Sequence, residues 1–219
     1  MSATLCSAPA RPAAPLPFVH LFAAWFAVVL VLGAKGVFMA PPRTPPLALL
    51  VGFVAPIATG LIAYRASARV RDWVLGIEPR FLVALNAWRF GGFAFVALCV
   101  WGVLPGFFAW PAGLGDMAIA ATAPWILARL SASPGFASSR AFVRWNRLGL
   151  LDLFVAIGLG AIGGFLASDQ PVTTAPMATL PLVLIPVFFV PIYILIHFAL
   201  LAQAKRMRDS STTPAATSA

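Results

Sequence analysis

Leu104-Pro105-Gly106-Phe107-Phe108-Ala109-Trp110-Pro111-Ala112-Gly113-Leu114-Gly115-Asp116 lies between two strongly apolar segments, and its reading decides how the chain crosses a bilayer. The stretch holds two prolines, three glycines, three large aromatics and one carboxylate. Such a passage belongs at a lipid boundary, where aromatic rings settle at headgroup level and irregular backbone must find protein or water partners. The apolar segment that follows, about 115–130, offers roughly sixteen residues, or ~24 Å of helix against a ~30 Å hydrocarbon core. Residues 105–114 are therefore expected either to dip into the membrane as non-helical backbone beside a cavity or to sit where the bilayer is thinned.

Outward from this stretch the composition gives the class. Hydrophobic residues make up 61% of the chain and charged ones 10%. A soluble domain carries about a quarter of charged residues. With a mean hydropathy of +0.95, the expected fold is all-α: an integral membrane bundle of six transmembrane helices. The spans fall at about 17–39, 46–66, 81–104, 115–130, 147–167 and 177–203 within a single transmembrane domain, 15–204. A disordered N-terminal tail, 1–14, precedes it, and a basic and then disordered tail, 205–219, follows. Cys6 and Cys99 sit in a polar tail and an apolar span, so both are expected as free thiols. The net charge of +9 has no polar domain on which to build a nucleic-acid groove. The bilayer is the expected partner, with a second copy or a membrane subunit as the protein partner.

The basic residues set the orientation. With the N-terminus inside, the cytoplasmic side receives Arg11, the run from Arg65 to Arg89, the run from Arg129 to Arg147, and Lys205, Arg206 and Arg208. The outside receives Lys35 and Arg43. This bias predicts a bacterial cytoplasmic (inner) membrane protein with both termini in the cytoplasm. The 104–116 stretch then faces out.

Ionisable residues within spans cost ~3 kcal/mol or more at mid-bilayer and mark ligand or ion pathways unless they are paired. Asp116 reads as the N-cap of the short fourth helix, or as a carboxylate at the floor of an outward vestibule, paired with Lys35. Asp152 heads an i, i+4 stripe with Ala156, Gly160 and Gly164, a small-residue face suited to close helix packing. Its expected partner is Arg89, at a similar depth on the third span. Tyr193 and His197 share a face of the last span, and His20 lies at comparable depth on the first. The last two are positioned for a haem b alternative with bis-imidazole ligation. No spacing resembles a zinc site, a nucleophile elbow or a phosphate loop, so no metal and no hydrolase or ATPase chemistry is expected. Pro186 and Pro191 deprive the carbonyls of Leu182 and Val187 of helical donors, leaving them for neighbouring groups or a ligand.

Gly102-x-Leu104-Pro105-x-x-Phe108-Ala109-x-Pro111-Ala112-Gly113-x-Gly115-Asp116, preceded by Arg89-x-x-Gly92 and followed by Trp145-Asn146-x-x-Gly149-x-x-Asp152, resembles a pattern in small uncharacterised bacterial multi-pass inner-membrane proteins. The resemblance implies the same multi-pass fold over about residues 80–200 and no particular activity. From the residues alone, the leading expectation is a small transporter or channel-like protein for an ion or small polar solute. An inner polar group of His20, Arg89, Asp152, Tyr193 and His197 and an outer one of Lys35 and Asp116 would serve it. The alternatives are a haem-binding or lipid-modifying membrane enzyme and a non-catalytic subunit of a larger complex.

Overall fold

A computed structural model describes residues 16–41, 43–166 and 170–212. The tail 1–14, residues 167–169 at the end of the fifth expected span, and residues 213–219 lie outside them. Among the described residues the regular structure is entirely helical: α1 (Leu16–Ala34), α2 (Leu47–Ala66), α3 (Ala68–Gly76), α4 (Pro79–Leu85), α5 (Phe93–Val100), α6 (Gly106–Ala132), α7 (Arg140–Leu166) and α8 (Val190–Thr212). A 3-10 helix, Asn86–Gly92, joins α4 to α5, and a π-helical turn, Ile185–Phe189, leads into α8.

Among the described residues four stretches are long and apolar enough to cross a membrane: Leu47–Ala66, Pro79–Val100, Arg140–Gly164 and Ile185–Ser210. The apolar part of α1, Val19–Ala34, is shorter. Helix α6 has the length but dilutes its apolar residues with Pro, Gly and Asp116. The apolar surface points outward as well as inward. Trp88, Trp101 and Val100 are each more than 70% exposed, and only 11% of the α2 span is buried. Surface of that kind is stable against lipid and unstable against water.

The backbone ends its helices by local chemistry. After α1 and after α5 the chain turns through a glycine at positive φ, Gly36 at +68° and Gly102 at +70°. In each turn two amides fold back on the last helical carbonyls: Val37 N–H on Leu32 O and Gly36 N–H on Gly33 O, then Val103 N–H on Leu98 O and Gly102 N–H on Cys99 O. That is the Schellman closure, which favours glycine because a Cβ at positive φ is strained. Ser67 Oγ accepts the Val70 amide at the head of α3, and Ser139 Oγ accepts the Phe142 amide in the first turn of α7.

The opening stretch is corrected here. Residues 106–114 are not irregular; they are the first turns of the 27-residue α6, which at 1.5 Å per residue is ~40 Å long. The turn is confined to the residues before Gly106. Away from water a peptide group must hydrogen-bond to another, so a proline and several glycines are absorbed into helix. The third segment changes in the opposite sense. Expected as one helix over 81–104, it is α4, a 3-10 turn and α5. At the C-terminus the helix also continues beyond residue 205, where a basic tail was expected, and α8 ends at Thr212.

Packing among the described residues yields four apolar clusters, and along α6 and α7 a polar layer falls between two of them. Leu82, Ile126, Phe142 and Leu200 belong to one, together with Ile119 and Trp145. Phe95, Leu104, Phe108 and Met177 belong to the other, with Ala112 in it and Ala156 packed against it. Along α6, Asp116 lies between Ala112 and Ile119; along α7, Asp152 lies between Trp145 and Ala156. Arg89 joins the α4 and α5 contributions. The carbonyl of Val187, deprived of its helical donor by Pro191, accepts the Trp25 indole N–H at 3.2 Å. The Leu182 carbonyl accepts the Ile185 amide. Both proline-released carbonyls therefore go to neighbours.

Candidate functional site

The 3-10 turn aims the site. With three residues per turn, every third side chain falls on the same face, and Asn86, Arg89 and Gly92 are the buried residues of this segment. Arg89 points from that face into the polar layer with its side chain 1% exposed. Three nitrogens of its guanidinium take three partners. Nε donates to Asp116 Oδ1 at 2.7 Å, Nη2 donates to Asp152 Oδ2, and Nη1 meets His197 Nε2 at 3.1 Å. Its cationic face lies over the Tyr193 ring, 5.7 Å from the centroid.

These contacts fix the histidine. A guanidinium can only donate, so His197 Nε2 must be the accepting nitrogen and the ring proton must sit on Nδ1. Nδ1 lies 2.9 Å from Asn146 Oδ1, and Asn146 Nδ2 donates to the Phe142 carbonyl at 2.9 Å. Every donor meets an acceptor along this chain, and the imidazole is uncharged. Trp145 packs edge-on against the ring at 5.7 Å. Its indole N–H is held by Thr122 Oγ1 at 2.8 Å.

Each partner of Arg89 rests against a glycine. A Cβ on Gly92 would come within 2.5 Å of the Asp116 Cβ. One on Gly115 would overlap the Asp152 carboxylate, and one on Gly149 would overlap the His197 ring. The three glycines are the space in which the cluster is built.

The cluster adjoins a cavity of ≈ 150 Å³ whose wall runs from Met39, Thr44 and Pro46 through Phe108 and Met177 to Leu153 and Asp116. Among the described residues Asp116 is the single ionisable one in that wall. Ala156, Gly160 and Gly164 line it as well. The small-residue stripe expected to pack a helix also lines this cavity; a Cβ on Gly160 would meet the Phe108 ring of α6 at 3.4 Å, and Thr174 Oγ1 bonds to the Gly160 carbonyl at 2.8 Å. Close helix approach on α7 falls at Gly163, where a Cβ would meet the Phe107 ring at 2.6 Å.

Of the residues singled out from the sequence, Arg89, Asp116, Asp152, Tyr193 and His197 come together. The expected Arg89–Asp152 ion pair is present. Asp116 is corrected twice: it lies inside α6 and caps nothing, and its partner is Arg89 rather than Lys35. The separation into inner and outer groups therefore disappears. Lys35 is exposed just beyond α1, and His20 is exposed on α1. With Nε2 on Arg89 and Nδ1 on Asn146, His197 would have to release one of them to ligate a haem. In the sequence Asn146, Trp145 and the three glycines stood out only as positions of the resembling pattern, with no role attached to them. The signal was available: Asn146, Gly149 and Asp152 recur every three residues on α7 and so occupy neighbouring positions on one side of the helix.

Among the described residues no three His, Cys, Asp or Glu side chains gather as a metal site. No curated protein and no solved structure matches the chain. A family model described as a domain of unknown function, DUF8737, matches residues 46–204, a stretch that contains α2 through most of α8 and the whole Arg89 cluster, and the chain belongs to that family.

Proposed function

We propose that the protein is a small proton-coupled transporter of the bacterial inner membrane, with both termini in the cytoplasm. The observation that carries this reading is the sharing of one guanidinium by two carboxylates beside a cavity. Arg89 supplies one positive charge, Asp116 and Asp152 supply two negative ones, and His197 is neutral. The cluster is one positive charge short, and a net charge at bilayer depth is costly. A proton or another cation cancels the deficit, so loading and unloading the site is coupled to charge movement. The break of the third segment into α4, 3-10 turn and α5 at Arg89 supports the same reading, since interrupted helices at membrane depth are where transporters hold their ions. Withdrawing Arg89 from the cytoplasmic set of basic residues leaves the inside bias intact, because the remaining arginines and lysines still lie overwhelmingly on that side.

The test is proton flux in proteoliposomes, driven by a potassium diffusion potential and read with a trapped pH-sensitive dye. Wild-type protein accelerates acidification over empty vesicles, and Asp116→Asn and Asp152→Asn each reduce the increment by about tenfold or more, as expected for loss of a group that carries the charge. Flux unchanged in both variants refutes the mechanism.

A further inference from the structure

We infer that the cavity is a binding site for a small organic ammonium ion with a ring-sized apolar body, seated with its N–H donors on Asp116. The inference rests on the reading of the cluster as one positive charge short and adds the chemical class of the occupant.

Three observations converge. The volume, ≈ 150 Å³, equals that of the ~150 Å³ apolar cavities known to take a benzene ring. The wall is mostly apolar, with Phe108, Met177, Leu153, Pro186 and Val190 contributing carbon surface and Thr44 and Thr174 a smaller polar share. A strongly hydrated inorganic ion gains nothing from such a wall, whereas a hydrocarbon body does. Among the described residues the wall is ionisable at one place alone, and the group there is a carboxylate. Arg89 engages Asp116 through Oδ1, which leaves Oδ2 with lone pairs to accept a charge-assisted hydrogen bond. An anion would face that carboxylate without a cationic side chain in the wall to receive it. A neutral apolar molecule would leave the charge deficit as it is. An ammonium on an apolar body satisfies shape, wall and charge together, and it occupies the same deficit that a proton fills.

The probe is benzylammonium chloride, titrated calorimetrically into the purified full-length protein in detergent, with benzyl alcohol and benzoate as isosteres. Benzylammonium binds, benzyl alcohol binds at least about tenfold more weakly for want of the ion pair, and benzoate does not bind. Asp116→Asn, which keeps an oxygen for Arg89 Nε while removing the charge, weakens benzylammonium by about tenfold or more. Ala156→Phe fills the cavity and abolishes binding while the far-ultraviolet circular dichroism stays helical. Should that variant fail to fold, Gly160→Leu fills the wall beside Phe108 and serves in its place. Equal binding of benzyl alcohol and benzylammonium, undiminished affinity in Asp116→Asn, or no heat from folded wild-type protein overturns the inference. Proton flux that depends on Asp116 in a protein that ignores benzylammonium overturns the ligand class alone. Benzylammonium binding that needs Asp116, in a protein with no proton flux, upholds the site and sinks the transport mechanism.

Discussion

Replacing Gly149 with alanine opposes two effects of known sign. Helix propensity favours alanine over glycine in a helix interior by ~1 kcal/mol. On that ground alone Gly149→Ala in the middle of α7 would stabilise the protein. The new Cβ, however, falls on the Cε1 and Nε2 atoms of the buried His197 ring. The ring must shift, and both of its hydrogen bonds, to Arg89 Nη1 and to Asn146 Oδ1, are strained or lost. A bond to a charged group contributes about 1.5–3 kcal/mol and a neutral one about 1 kcal/mol. The combined loss is thus about 2–4 kcal/mol, which outweighs propensity and leaves a net destabilisation of about 1–3 kcal/mol. The same substitution at Gly158, also on α7, provides the reference, because nothing lies within 4 Å of a Cβ there. Reversible unfolding in mixed micelles would show Gly149→Ala below wild type and Gly158→Ala at or above it. Combining Gly149→Ala with His197→Ala removes the object of the clash, so the double variant is less destabilised than the sum of the singles by about 0.5–3 kcal/mol. A stabilised Gly149→Ala, or strictly additive single variants, refutes the placement of His197 against α7.

Two further perturbations probe the cluster and the α1–α8 seam. Arg89→Lys keeps the charge but replaces a planar fork bonding in three directions with one ammonium; it leaves at least one buried partner unpaired, costs about 2–4 kcal/mol in the same unfolding assay, and a wild-type transition for this variant contradicts the three-way geometry. Trp25→Phe keeps the apolar body but removes the indole N–H held by the Val187 carbonyl, so it lowers stability by about 1–2 kcal/mol, and a carbonyl infrared band of labelled Val187 shifting to higher frequency identifies the lost bond directly.

How much of this was readable in the chain depended on whether water or its absence decided the local structure. The helical membrane class followed from composition. The pairing of Arg89 with Asp152 was readable because a charge at bilayer depth needs a partner and few are available. The fate of the proline-released Val187 carbonyl was readable in kind, though not that Trp25 would be the donor. The 104–116 stretch misled because Pro and Gly signal irregular backbone in water, while in an apolar surrounding the backbone bonds to itself through them. Treating Asp116 as a cap was the consequence: once the helix is taken to start at Gly115, an aspartate at its head resembles a cap, and Lys35 becomes the nearest cation in prospect. The broken third segment was hidden for the opposite reason, because residues 81–104 are apolar enough for an uninterrupted helix and nothing in their periodicity announces a change of pitch.

That change of pitch aligns the residues that the third segment contributes to the cluster. In an α-helix, residues three apart are displaced by about 60° around the axis and residues six apart by about 120°. On a continuous α-helix Asn86, Arg89 and Gly92 would therefore spread over about a third of the circumference, as Asn146, Gly149 and Asp152 do on α7. At three residues per turn the three positions align. Gly92 then admits the Asp116 Cβ, while Arg89 fans its nitrogens toward α6, α7 and α8. A 3-10 segment of this length has poorer hydrogen bonds than an α-helix, and the three bonds of Arg89 offset that cost. The dependence also runs the other way. Without Asp116, Asp152 and His197 to receive the guanidinium, the 86–92 segment loses the bonds that offset its poorer backbone geometry. The pitch of the third segment and the charge cluster thus meet at Arg89, and a cation seated on Asp116 Oδ2 beside it acts at that junction.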